Sequence, residues 1–169
     1  MGAAPVRDRL DREGKNFSVA YCLLAAEDQS SYTWAFAALK ELVLKAKTPR
    51  CFVRDSEGAV GIAISNIYPY VPQLLYVWHI NQNVLEAIKK TWIVRPNMAK
   101  EEKEAQVTQQ DLIHLQWQNI IRSETEEIFI RRWRNFCPLH HNQKDFIGYL
   151  KQHKWPVRKL FIRAWTLKI

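Results

Sequence analysis

The 169-residue sequence predicts an α/β unit of about three strands with flanking helices, followed by an all-helical segment. Apolar runs at Phe17–Ala26, Cys51–Val53 and Leu74–Ile80 have strand length and composition. Each is followed by a stretch whose apolar residues recur at helical spacing, so strand and helix alternate up to Trp92. Beyond that point only helical periodicity remains. The division expected is residues 1–16 as a divergent N-terminal segment, 17–92 as the α/β unit, and 93–169 as a helical region with a basic end.

Phe17–Ala26 is apolar and aromatic on both faces, as in a strand buried inside a sheet. Asp28 or Ser30 offers an N-cap for a helix over 31–45, where Tyr32, Ala35, Phe36, Leu39, Leu42 and Val43 share one side. Cys51 begins the second strand, which delivers Asp55 to its end. Ser56 can cap a helix over 57–67, which Gly58 and Gly61 weaken by about 1 kcal/mol each. Pro69 and Pro72 stop that helix and lead into the strand at 74–80, which ends on Trp78 and His79. A helix at 81–92 completes the unit. Connections of this length call for right-handed crossovers and a parallel pairing of the last two strands.

Pro96 breaks the chain, and the charged run Lys100–Glu104 is expected as a linker or frayed turn. Helices are expected at 107–122, 124–136, 142–153 and 156–166. Ser123 with Glu126 forms a capping-box pattern. Pro138 ends that helix, and Pro156 suits the first turn of the last one.

With 47% hydrophobic residues the chain can bury a core, yet it has no apolar run long enough to span a membrane. Nothing near the N-terminus resembles a signal peptide, and Val6 stands where a myristoylation site needs Ser or Thr. Cys22, Cys51 and Cys137 are far apart, which argues against a disulfide framework. The expectation is a soluble intracellular protein. The net charge of +8 is concentrated at the end, where residues 139–169 carry seven Lys and Arg against Asp145 alone. Lys151, Lys154, Arg158, Lys159 and Arg163 alternate there with aromatic residues. Such a face either neutralises phosphates and stacks on bases, or is a solvated helix surface with core aromatics.

Asp55 is the foremost candidate for chemistry. A carboxylate at the carboxyl end of a parallel strand can ligate a hard divalent cation, or it can merely cap the next helix. Phosphoryl transfer with two metals needs two or three converging carboxylates, and Glu27, Asp28 and Glu57 have simpler roles at helix starts or on the surface. His79 touches a phosphate, binds a metal with a partner three residues earlier (where Tyr76 is a poor zinc ligand), or packs at the core's edge. Cys137, His140, His141 and His153 lack the paired spacing of a zinc site. With five glycines and no phosphate-cradling motif, nucleotide-dependent chemistry is not indicated.

Glu27, Tyr32, Trp34, Asp55, Ala59, Ala63, Pro69, Leu74, Leu75, Trp78, His79 and Asn83 match in order and spacing the core of Mutator-like element (MULE) transposases, which the chain resembles over roughly residues 15–165. The resemblance implies a partial RNase H-like sheet with a helical insertion. It also implies a site of three acids that holds Mg2+ or Mn2+ to cut and rejoin DNA, with Asp55 as the second acid and metal ligand. Trp78 and His79 carry the family's Trp-His motif. The implied partner is DNA at transposon ends, the implied assembly a homodimer, and the implied location the nucleus. Arg54 replaces the family's Thr and Tyr76 its Cys, and Arg54 is expected to pair with Asp55 and weaken its hold on metal. The first and third acids have no counterpart here. The expectation is therefore a transposase fragment without a complete triad, inactive as an isolated chain, with residual DNA affinity in its basic end. The alternative is a non-enzymatic interaction module on the same scaffold.

Overall fold

The computed structural model describes residues 18–45, 47–91 and 99–167. Helix α1 (Gln29–Ala38) starts at Asp28, whose carboxylate accepts a hydrogen bond from the Ser31 amide at 2.8 Å, and continues as a π-helical stretch over Leu39–Leu44. Strand β1 (Phe52–Arg54), helix α2 (Gly58–Ile67) and strand β2 (Gln73–Leu75) form a β-α-β unit. The two strands pair in parallel, with Phe52 opposite Gln73 and Arg54 opposite Leu75, as expected for a connection through a helix. α1 packs along α2, and Phe36 meets Phe52 edge-on at 5.7 Å.

Helices α3 (Val77–Thr91), α4 (Lys100–Ile121), α5 (Glu126–Leu139) and α6 (Lys144–Tyr149) follow, the last extended by a π-helical turn at Leu150–Lys154. A 3-10 turn at Arg158–Leu160 and the short helix α7 (Arg163–Thr166) close the described chain. The fold is mostly helical, with a small parallel sheet.

Several expectations are corrected. Residues 18–24 form no strand, although Phe17 itself lies outside the described residues. A strand apolar on both faces needs neighbours on both, and among the described residues nothing covers this segment's large side chains: Tyr21 is 89% and Leu23 99% exposed. The sheet therefore has two strands rather than three among the described residues. The strand expected at 74–80 stops at Leu75, after which the Tyr76 amide donates to the Arg54 carbonyl at 2.7 Å and the Ile80 amide to Tyr76 at 3.2 Å, which opens α3. Ile80, Val84, Ala87 and Ile88 are buried on one helical face, and that burial outweighs the strand preference of Tyr76–Ile80.

The Lys100–Glu104 run is the first turn of α4, where Glu101 and Glu102 favour the positive end of the helix dipole. The expected final helix at 156–166 is divided, because Phe161 and Ile162 turn into the core between its two short pieces. The break expected at Pro96 lies outside the described residues. Helix α5 starts two residues later than the Ser123 pattern predicts: Thr125 is its N-cap, with its hydroxyl accepting from the Ile128 amide at 3.3 Å. Ser123 is fully buried, and its oxygen accepts instead from Arg132.

The core sits in the helical part. Ile80, Val84 and Ile88 of α3 meet Ile113, Trp117 and Ile120 of α4, Phe129 and Phe136 of α5, and Phe146, Leu150 and Phe161 beyond. Leu75 of β2 belongs to the same cluster, and the 3-10 turn packs against β2. The β-α-β unit is thereby fastened to the helices through its second strand.

Candidate functional site

Asp55 leaves β1 at its carboxyl end and is exposed. One carboxylate oxygen accepts from the Glu57 amide at 3.2 Å, a local turn that sets up α2. The N-cap of α2 is Glu57, which makes no side-chain cap bond, so the capping role expected of Ser56 is not seen.

Arg54 does not pair with the Asp55 carboxylate as expected. Its Nη1 donates to the main-chain oxygens of Asp55 at 2.8 Å and Glu57 at 3.0 Å, and its Nε donates to Gln73 Oε1 at 2.7 Å. Gln73 Nε2 in turn donates to the Gly61 carbonyl at 3.0 Å and the Ser65 hydroxyl at 2.9 Å. The guanidinium lies so close to α2 that a Cβ on Gly61 would stand 2.4 Å from Nη2. Burial pulls the guanidinium below its ordinary value, and the Asp55 charge partly restores it. This network clamps the turn at 55–57 between both strands and α2.

The Tyr32 hydroxyl of α1 donates to Glu57 Oε2 at 3.0 Å. Its phenol is pushed up to about 12, first by desolvation, then by the Glu57 bond and charge, with smaller effects from Glu27 and Asp55. Glu57, bonded to Tyr32, and Asp55, bonded to the Glu57 amide, thus make this corner of the unit acidic. Among the described residues, however, no group of three His, Cys, Asp or Glu side chains can hold a metal ion. The described donors do not fit a two-metal centre, which needs two or three converging carboxylates.

At the neighbouring strand end Tyr76, Trp78 and His79 form a solvent-facing aromatic group. Tyr76 is 49% and Trp78 54% exposed, and the His79 ring lies 4.9 Å from Trp78 and 5.4 Å from Tyr76. His79 is thus exposed on the first turn of α3 and not packed at the core's edge.

The five basic residues of the C-terminal part have different settings. Lys151 and Lys159 are exposed. Arg158 stacks on the Trp155 ring at 4.3 Å and donates to the Trp155 carbonyl at 2.8 Å. Arg163 pairs with Glu124 at 3.6 Å on the surface. Lys154 is only 6% exposed, with its ammonium 5.4 Å from the Tyr149 ring centroid, and burial pulls its proton affinity down. It is not a surface contact for a phosphate in this conformation. Arg131 and Arg134, both exposed on α5, are hidden in the charge balance over residues 91–138, where acids elsewhere cancel them. The Arg-Arg-Trp-Arg run was the available signal. Arg134 is one turn before Cys137, whose thiol is pushed up by burial and drawn partly back by the charge of Lys151.

No helix among the described residues is long and apolar enough to cross a membrane. No curated protein and no solved structure matches the chain. Residues 9–83 match the family model of the MULE transposase domain, a span that holds the whole β-α-β unit, Asp55, Trp78 and His79. The chain is thus similar to MULE transposases over the segment that builds its α/β unit.

Proposed function

We propose that the chain is a transposase-derived DNA-binding module. Its β-α-β unit is the remnant of an RNase H-like sheet that keeps Asp55 but lacks a complete acidic triad. The observation that carries DNA contact is the acid-poor end beyond α5: exposed Lys151 and Lys159 flank Arg158, which is held stacked on Trp155. A guanidinium fixed on an indole presents its donors with little entropy left to lose, which suits a phosphate. Arg163 can exchange its exposed Glu124 partner for a phosphate, since such surface pairs contribute about 0–1 kcal/mol. Lys154 acts from beneath, holding Tyr149.

DNA affinity is expected to fall steeply with salt, and neutralising Lys151, Arg158, Lys159 and Arg163 together is expected to flatten that dependence by about one slope unit per lost phosphate contact. A salt-independent affinity in the unsubstituted chain counts against nucleic acid as the partner. With DNA as the partner, the chain's site of action would be the nucleus, and a homodimer would place two basic ends on one duplex.

Strand cleavage is not expected of the isolated chain, since among the described residues Asp55 stands without two further metal ligands. Nicking of supercoiled DNA with Mg2+ or Mn2+ that disappears in Asp55→Ala would overturn this. The second reading, an interaction module without nucleic-acid affinity, is favoured by the burial of Lys154 and the pairing of Arg163. The salt titration separates the two.

A further inference from the structure

We propose that Tyr76, Trp78 and His79 form a stacking platform for an unpaired base of a DNA strand. This rests on DNA being the chain's partner and adds a second, chemically different contact to the basic end. Two large rings are left half in solvent here, against the strong tendency of such surface to be covered. They are not scattered. Trp78 lies 6.3 Å from Tyr76 and 4.9 Å from His79, spacings at which rings hold one another in place. Tyr76 is tied by its amide to the Arg54 carbonyl, and Trp78 and His79 sit in the first turn of α3, so the group is built on regular structure.

The partner follows from the local charge. Asp55 and Glu57 stand at the adjoining strand end and repel a phosphate backbone. A neutral base face carries no such penalty, and aromatic stacking accepts every base. The net charge of +8 and the basic end draw in the strand that bears the base. Bases inside a duplex hide their faces, so the occupant is a single-stranded or everted base.

The test is binding of a labelled oligothymidylate and of a duplex of the same length, at one fixed salt concentration, to the full chain. Trp78→Ala is expected to weaken single-strand binding by about 5- to 150-fold and to leave duplex binding unchanged, since one stacked base is worth about 1–3 kcal/mol. Trp78→Phe, which keeps a π-face, is expected to restore most of the loss. Tyr76→Ala serves as the second variant, and an unchanged thermal midpoint and circular dichroism spectrum identify the variants that fold. Equal losses for single strand and duplex, or single-strand binding unaffected by both alanine variants, would overturn the platform. If the unsubstituted chain binds neither DNA, the DNA-binding function falls with it. If salt-dependent duplex binding persists while the variants change nothing, only the platform falls.

Discussion

Replacing Gly61 with alanine is expected to destabilise the β-α-β unit by about 1–3 kcal/mol, the usual cost of forcing a methyl into filled space. The new Cβ meets Arg54 Nη2 at 2.4 Å, and the guanidinium cannot retreat without giving up Gln73 and the two carbonyls it clamps. Arg54→Met opens that space, so the double variant is expected to cost less than the two single costs combined, as urea denaturation would show. Lys154 makes a second residue-scale case. Its folded-state proton affinity is depressed by burial, so between that value and the ordinary 10.5 the unfolded chain binds more protons. Stability should therefore rise with pH on approach to pH 10, before tyrosines titrate. Lys154→Met should raise stability at neutral pH and abolish the rise; a rise of equal slope in that variant would assign it to other groups.

At the scale of elements, the cap of α5 separates what the sequence pattern suggests from what forms. With Thr125 as N-cap, Thr125→Ala should cost about 1 kcal/mol, whereas Glu126→Ala should cost only the few tenths of its charge at the helix start, because Glu126 opens the helix and does not close a capping box. Chemical denaturation of the two variants fixes the register. The same contrast explains how far the other elements were legible. The β1–α2–β2 order and its parallel pairing could be read because two short apolar runs flank a helical stretch bounded by prolines. The run at 18–24 was misleading, since strand composition is local while a strand's partner is not. The start of α3 was hidden because Tyr76–Ile80 is aromatic and β-branched, and its helical face emerges only when Ile80 is counted with Val84 and Ile88. Asp55 was legible as a strand-end acid. The fate of Arg54 was not, because Gln73 and Gly61, which redirect it, are distant in sequence.

For the whole molecule, the uneven placement of the core predicts uneven stability. One buried cluster runs from Leu75 through α3, α4 and α5 to Ala164, and includes Trp117, Phe129, Phe146 and Phe161. On the other side, α1 contributes no fully buried residue, and the segment before it exposes Val19, Tyr21 and Leu23. Local opening is cheapest where few apolar groups are lost to water. Amide hydrogen exchange is therefore expected to be fast over residues 18–45 and slowest in the middle of α3, α4 and α5, with β2 protected more than α1. The distinction matters for function, because the basic end is part of the stable cluster through Phe161 and Ile162, while Tyr32, which holds Glu57 beside Asp55, lies on the labile side. DNA bound at the basic end should deepen protection around Trp155 and Arg158 without slowing exchange in α1. Protection that appears first in α1 would mean that the acidic corner, and not the basic end, meets the nucleic acid.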